Sequence, residues 1–173
     1  MDAVEALTTR RSVRAFTQEQ VSDEQIETLL RVAVAAPSAG NCQPWRVVVV
    51  QDSRTRLGLA RAALNQMFVA EAPVVFVVCT VPEESSWRYG HRGESLYCLQ
   101  DTAALTENLL VAAHAMGLGG CWIGAFDEAA AADVLKLPQG VRPVALVPMG
   151  HPDDPERKPS RRPISHVVRW IRQ

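Results

Sequence analysis

The sequence lacks long hydrophobic runs and any strong excess of one charge. Its 173 residues carry 18 basic and 19 acidic side chains, for a formal net charge of -1, so the charge as a whole does not attract nucleic acid or membrane. The longest apolar runs, near Val47 and Val74, are too short to span a membrane, and the first ten residues contain no long apolar stretch. We therefore expect a cytoplasmic protein with neither a nucleic-acid nor a membrane partner.

The sequence also lacks the spacing of a metal site. No cysteines form a Cys-x-x-Cys pair, and no histidine lies at metal-ligand spacing from a cysteine. The scattered residues are Cys42, Cys79, Cys98, Cys121, His91, His114, His151 and His166. We expect buried thiols and no metal. With 47% hydrophobic residues and no internal repeat, the chain suits one domain over residues 1–173.

The most distinctive stretch runs from Ala36 to Trp45, with two prolines and a glycine among polar residues. Pro37 ends the preceding helix, Gly40 permits a positive φ, and Pro44 favours extended backbone before it. The polar side chains are Ser38, Asn41 and Gln43. Amide side chains offer a donor and an acceptor together, which suits the polar edge of a flat heterocycle. The alternative is a connection whose polar groups satisfy only the local backbone.

A second informative stretch, Arg10 to Phe16, places three arginines around one serine. Alternate residues of an extended chain share a face, so Val13 points away from the face that could hold a phosphate. The pattern does not decide on which face Arg11 lies. That face carries Arg10, Ser12 and Arg14. Guanidinium groups bind phosphate through bidentate, charge-assisted hydrogen bonds. The alternative is a solvated basic turn.

Apolar patterning predicts the remaining elements. Buried strands are expected at 47–50, 73–81 and 143–147, and helices at 22–36, 53–65, 96–116 and 129–135. Ser22 begins a capping box, and Gly117 is the expected end of the long apolar helix. The segment from Pro82 to Glu94 lacks a regular pattern and is expected to be either a lid over a ligand or a disordered connection.

Two further stretches suggest contacts with a ligand or a second chain. The glycines of Leu118 to Gly124 follow a helix and lack the Gly-x-Gly-x-x-Gly order, which excludes a dinucleotide fingerprint and suggests backbone lying close to another group. Residues 153–163 are polar, proline-rich and basic, and an amphipathic pattern resumes at Ile164. We interpret residues 153–173 as an extended arm that docks through its apolar end, and the arm becomes a dimer clasp if that end docks on a second copy of the chain.

Together these stretches resemble the FMN-dependent nitroreductase family. The resemblance rests on Arg10–Phe16, Pro37–Trp45, the turn ending in Trp122-Ile123-Gly124, and Lys158–Pro163. It implies an α+β, three-layer fold in which helices flank a central mixed, mostly antiparallel sheet. It also implies an intertwined homodimer with FMN at the subunit interface.

The resemblance further implies which residues bind FMN. The phosphate and ribityl would contact Arg10, Ser12 and Arg14, with Arg11 as a less certain contributor. The other subunit would supply Pro37, Ser38, Asn41 and Gln43. The isoalloxazine ring would lie along Gly120, Ile123 and Gly124, and the phosphate would also meet Arg161 and Arg162. No protein side chain is expected to be catalytic, because FMN carries the chemistry.

The implied activity is transfer of hydride from NADH or NADPH to FMN and then reduction of a nitroaromatic, quinone or related acceptor, in a ping-pong sequence. A non-catalytic FMN store or redox sensor is the competing class. The family also contains reductive dehalogenases and flavin-fragmenting enzymes. The chain is shorter than the longer members, and only the segment from Pro82 to Glu94 is available to cover the site.

Overall fold

A four-stranded antiparallel sheet organises the computed structural model, which describes residues 1–154 and 159–172. The strands are β1 (Trp45–Val50), β2 (Val74–Thr80), β3 (Gly119–Gly120) and β4 (Arg142–Gly150), in the spatial order β1-β2-β4-β3. All three strand pairs are antiparallel, and a parallel bridge joins Ser12 to Gly120. The predicted strand positions and the mostly antiparallel sheet are confirmed, but the expected full burial of residues 47–50 is wrong, because β1 is an edge strand and Val47–Val49 are only partly buried.

Seven α-helices surround the sheet in the described part of the chain. They are α1 (Ala3–Thr9), α2 (Asp23–Ala33), α3 (Ser53–Ala62), α4 (Phe68–Glu71), α5 (Pro82–Arg92), α6 (Cys98–Ala115) and α7 (Glu128–Leu135). A π-helical turn, Gly93–Tyr97, joins α5 to α6. The capping box of α2 forms as predicted, because Ser22 accepts from the Gln25 amide and the Gln25 side chain accepts from the Ser22 amide.

The central strand β2 explains why the sheet lies between two layers of helices. It is a run of mostly β-branched residues, and each of its seven residues is fully buried. Val74, Phe76 and Val78 pack in the core shared with α2 and α6. Val75 and Val77 point to the opposite face, where α3, α4 and α7 lie. Each buried apolar side chain contributes about 1.5–3 kcal/mol, so both helical layers are fixed by this strand.

The segment from Pro82 to Glu94 corrects the expectation that it has no regular structure. It forms α5, with Pro82 in the first turn, where its missing N–H is tolerated. The periodic pattern is interrupted at Gly90, whose φ of 55° and ψ of -143° are non-helical. A Cβ on Gly93 would collide with the carbonyl group of Ser85, so the chain folds back closely after this kink.

The carboxy-terminal residues leave their apolar side chains exposed. A 3-10 turn forms at Ile164–His166, and the exposed set comprises Ile164, Val167, Val168, Trp170 and Ile171. Lys158, part of the predicted basic arm, lies outside the described residues. Within residues 1–154 and 159–172, no helix is both long and apolar enough to cross a membrane.

Candidate functional site

The amino-terminal segment after α1 lies against the glycine turn after α6. Ser12 bridges Gly120, and the Val13 amide donates to the Gly120 carbonyl at 3.0 Å. Val13 is buried, whereas Ser12 and Arg14 are exposed. The predicted alternation is therefore confirmed for Ser12, Val13 and Arg14, and a hydroxyl and a guanidinium face solvent beside the turn. We call residues 10–14 and 119–124 the edge half-site.

Close packing explains two glycines of the edge half-site. A Cβ on Gly119 would lie 2.8 Å from the Val13 Cβ and 3.0 Å from the Pro152 Cγ, which no side chain tolerates without movement. A Cβ on Gly120 would meet the Pro148 carbonyl oxygen at 3.1 Å. By contrast, a Cβ on Gly124 has no neighbour within 4 Å. The turn is therefore closely packed at Gly119 and Gly120 and has free space beside Gly124.

The three arginines of the edge half-site have different partners. Arg11 forms an ion pair with Asp154 at 2.6 Å, and its side chain is mostly buried. The Arg10 Nε lies 3.3 Å from a carboxylate oxygen of the half-exposed Glu107. Among residues 1–154 and 159–172, no carboxylate lies within ion-pair distance of the Arg14 guanidinium. Arg14 is therefore the cation best placed to take an added anion.

One of the thiols predicted to be buried, Cys121, lies in the edge half-site. Cys121 is 3% exposed and lies near the Ser12 and Arg14 side chains. Burial raises the pKa of the Cys121 thiol, while the Arg14 charge and hydrogen bonds from Ser12 and Arg14 oppose that shift. Ile123 is also buried and bridges Leu146 of β4, so its side chain helps to fix the turn to the sheet.

The loop of residues 37–43, which we call the loop half-site, has an unusual backbone. Gly40, Asn41 and Gln43 have φ angles of 55°, 57° and 50°, in the left-handed region. For a non-glycine residue this conformation is sparsely populated and costs on the order of 1–3 kcal/mol. Contacts from the surrounding structure must therefore hold the loop in this shape.

The predicted ligand side chains of the loop half-site contact one another. The Ser38 hydroxyl oxygen accepts from the Gln43 amide at 3.0 Å, and the Gln43 side-chain amide donates to the Asn41 side-chain oxygen at 3.2 Å. Pro37, Asn41 and Gln43 are nevertheless exposed. These bonds shape the loop, and they leave the Asn41 NH₂ group and the Gln43 side-chain oxygen facing outward as further donor and acceptor.

Two neighbouring helices hold the loop half-site. From α6, an Asp101 carboxylate oxygen accepts from the Ala39 amide at 3.0 Å. From α5, the Arg88 guanidinium donates to the Gly40 carbonyl at 3.0 Å, and the Tyr89 hydroxyl lies over the Gly40 Cα. Sequence reasoning missed Asp101, because α6 carries a second acid, Glu107, and only the structure distinguishes the buried Asp101 from the half-exposed Glu107.

The two half-sites lie far apart within one chain. The loop half-site contacts Asp101 near the start of α6, and the edge half-site follows the end of that helix, which gives a separation of roughly 20 Å along the axis. In the sheet, the loop precedes β1 at one edge and the glycine turn includes β3 at the other. One chain therefore does not bring the two sets of predicted residues together.

The predicted cations of the carboxy-terminal arm lie outside both half-sites in a single chain. Among the residues that the structure describes, Arg161 donates to the carbonyl oxygens of Pro159 and Ser160, and both Arg161 and Arg162 are exposed. Within the described residues, no group of three or more metal-ligating side chains is clustered. The assignment of both arginines to a phosphate remains a prediction.

The fold and the half-sites define an α+β protein with a cation-and-amide surface at one sheet edge and a strained polar loop at the other. The nitroreductase family model matches residues 7–77 and 57–151. A protein of Archaeoglobus fulgidus with the provisional name NADH dehydrogenase/NAD(P)H nitroreductase is 34% identical over 157 residues, covering 88% of this chain and 87% of its own.

Two comparisons involve Vibrio harveyi. Its NADPH-flavin oxidoreductase is 34% identical over 177 residues, covering 96% of this chain and 72% of its own. A crystal structure of NADPH:FMN oxidoreductase from the same organism, in complex with NAD⁺, superimposes with a TM-score of 0.88 at 32% identity, covering 99% of this chain and 77% of its own. The chain belongs to the nitroreductase family, which confirms the resemblance seen in the sequence.

Proposed function

We propose that the protein is an NAD(P)H-dependent flavin oxidoreductase that uses FMN and works as a homodimer. The family membership and the Vibrio harveyi relatives, whose names specify NADPH, flavin and FMN, support this activity. Residues 1–173 form one domain in this proposal, and the arm of residues 153–173 clasps the partner. The proposed acceptor is a nitroaromatic, a quinone or a related compound.

The observation that carries the proposal is the composition of the edge half-site. The Arg14 guanidinium, which has no carboxylate within ion-pair distance among the described residues, lies beside the Ser12 hydroxyl and is supported by Arg10. A cation and a hydroxyl are suitable partners for a phosphate. The adjoining turn ends in open space at Gly124, where a flat ring can approach the backbone. The donor set therefore fits FMN.

The separation of the half-sites supports a dimer. A second chain that placed its loop half-site against this chain's edge half-site would unite all the predicted ligands in two equivalent sites. β1 is an edge strand in the described sheet, and its central valines are only partly buried. An exposed edge can pair with another chain, and the exposed apolar residues of the arm need cover. The arm of one chain can therefore dock beside the β1 edge of the other chain.

When bound, FMN accepts hydride from the nicotinamide and delivers electrons to the acceptor. The residues of this chain bind and orient it. Arg14, Ser12 and Arg10 would hold the phosphate end, and backbone amides at the open end of the glycine turn, around Gly124, would donate hydrogen bonds toward the ring and stabilise developing negative charge. The loop half-site would present Asn41 and Gln43 to the polar edges of the flavin. One substrate slot serves donor and acceptor in turn, so the kinetics are ping-pong.

Absorption spectroscopy of the purified protein tests the proposal. We expect a yellow protein, or one that becomes yellow with added FMN, that NADH or NADPH bleaches and that an acceptor re-oxidises over many turnovers. Bleaching without turnover would indicate a flavin store. A protein that stays colourless after FMN is added would contradict the proposal, and size-exclusion chromatography with light scattering tests the dimer separately.

A further inference from the structure

The loop half-site holds its shape through contacts with α6. Two of its non-glycine residues, Asn41 and Gln43, lie in the left-handed region, so the loop relaxes if nothing outside it fixes the backbone. Its internal side-chain bonds, between Ser38 and Gln43 and between Gln43 and Asn41, join exposed groups that water can also satisfy. Its internal main-chain bonds, from the Asn41 amide to the Ser38 carbonyl and from the Cys42 amide to the Ala39 carbonyl, form one short 3-10 turn. A buried contact is therefore needed.

Asp101 makes the only such contact from α6 to the loop among the described residues, and its chemistry explains why. The other buried polar residues of α6, Thr102 and Thr106, donate to carbonyls of their own helix, at 3.0 Å and 2.7 Å. A carboxylate has no proton to donate and must accept from another element. Its acceptor oxygen receives the Ala39 N–H at 3.0 Å.

The burial of Asp101 indicates that this contact has a role beyond packing. The residue is 6% exposed, and its second carboxylate oxygen is buried with no hydrogen-bond partner in residues 1–154 and 159–172. An apolar residue of the same size would pack into α6 without that desolvation penalty. Burial raises the pKa of Asp101, and the Ala39 amide opposes the shift. The carboxyl is thus retained at an energetic cost to the helix.

We propose that Asp101 is the positioning residue of the flavin loop: by accepting from the Ala39 amide, it fixes the left-handed backbone that presents Asn41 and Gln43 to the cofactor. This inference rests on the proposed function for the identity of the cofactor. The positioning itself is independent of it. Arg88 assists from the outer side, through an exposed hydrogen bond to Gly40, which contributes less because water competes for both groups.

Amide hydrogen exchange in the cofactor-free protein tests the positioning directly. In Asp101→Leu, which replaces the acceptor with a somewhat larger apolar side chain, we expect the Ala39 amide to exchange about ten- to a hundredfold faster, as a charged hydrogen bond is lost. Asp101→Asn keeps an acceptor oxygen, so exchange should stay within about threefold of the wild type. NMR resolves this single amide, and amides of β2 serve as the internal reference.

FMN titration of the same variants tests the functional consequence. We expect Asp101→Leu to weaken FMN binding by about ten- to a hundredfold and Asp101→Asn to restore it to within about threefold. Thr106→Val is the matched control, because it removes a buried polar group from the same helix that does not touch the loop. It should change neither the Ala39 exchange rate nor the FMN affinity.

A second variant keeps the test decisive if Asp101→Leu does not fold. Ala39→Pro removes the donor from the other side of the same bond, at the first position of a short 3-10 helix that follows the extended Ser38. It should weaken FMN binding as Asp101→Leu does. FMN affinity unchanged in Ala39→Pro would overturn the proposal.

Three other results would also overturn it: wild-type exchange at Ala39 in Asp101→Leu, equal damage from Asp101→Asn, or equal damage from Thr106→Val. If the wild-type protein binds no FMN, the proposed function fails, while the exchange experiment still decides whether Asp101 fixes the loop.

Discussion

In the edge half-site, main-chain bonds and close glycine packing hold the amino-terminal segment, as Val13 donates to Gly120 and Gly119 leaves no room for a Cβ. In the loop half-site, side chains of other helices hold the backbone, through Asp101 and Arg88. The difference determines which substitutions matter. The backbone of the edge half-site therefore depends on residue volume at its glycines, and the backbone of the loop half-site depends on individual polar groups.

The largest expected effect comes from Gly119→Val. The added side chain would displace Val13 and Pro152, which lie within 3.0 Å of the new Cβ. We expect unfolding free energy to fall by about 1–3 kcal/mol through overpacking, and FMN affinity to fall by about a hundredfold as the phosphate segment moves. Chemical denaturation and FMN titration measure the two effects.

Gly124→Ala is the control for the stability effect of Gly119→Val. Its Cβ meets no atom within 4 Å, so the unfolding free energy should change by no more than about 0.5 kcal/mol. Equal destabilisation by both substitutions would show that close packing does not distinguish Gly119.

Arg14→Ala tests the charge of the edge half-site. Loss of a charge-assisted hydrogen bond should weaken FMN binding by about 1.5–3 kcal/mol, or roughly ten- to a hundredfold, and reduce the dependence of affinity on salt. Arg10→Ala and Arg161→Ala should weaken binding in the same direction. Arg11→Ala should weaken it less, because Asp154 already pairs with Arg11.

Arg54→Ala, on the exposed surface of α3, controls for the change in net charge. Isothermal titration at two salt concentrations compares these variants. If Arg14→Ala binds FMN no more weakly than Arg54→Ala, the phosphate lies elsewhere.

Gly40→Ala tests the strained backbone of the loop half-site. An alanine at a φ of 55° costs about 1–2 kcal/mol, and its Cβ would also collide with the Tyr89 hydroxyl. We expect an FMN affinity about tenfold weaker. Adding Tyr89→Phe removes the hydroxyl and should recover the steric part of the loss, which a double-mutant cycle separates from the backbone part. If Tyr89→Phe recovers none of the FMN affinity, the Tyr89 hydroxyl of α5 does not restrict residue 40.

The smallest effect concerns thiol reactivity, which also differs between the half-sites. Cys42 is half-buried in the loop, whereas Cys121 is almost fully buried, and burial raises the pKa of Cys121. Because the thiolate is the reactive form, a thiol reagent near pH 8 should modify Cys42 first and spare Cys121 until the protein unfolds. Mass spectrometry of the modified peptides measures the order, and faster modification of Cys121 would contradict it.

The sequence was sufficient for the elements that follow a simple pattern. The β-branched run of β2, the capping box at Ser22 and the apolar length of α6 predicted the core, because burial and capping act locally. The alternation of Ser12, Val13 and Arg14 was also correct, since the segment pairs with Gly120 as an extended chain, whereas Arg10 ends α1 and is partly buried.

Other features depend on contacts between distant residues. The helix α5 was missed because Gly90 interrupts its pattern and many of its residues are polar. The anchoring of Ala39 by Asp101 spans 62 positions in sequence, so no local pattern could predict it. The distance between the half-sites likewise follows from sheet order and not from either motif.

The burial of β2 has a consequence for synthesis of the protein. This strand pairs with β1, made earlier, and with β4, which follows it by roughly sixty residues. At typical translation speeds, about three to twelve seconds pass before the ribosome has made the second partner. During that interval a valine-rich strand presents an unpaired edge, which favours association between nascent chains. Expression at reduced temperature or with chaperones should therefore improve the yield of folded protein.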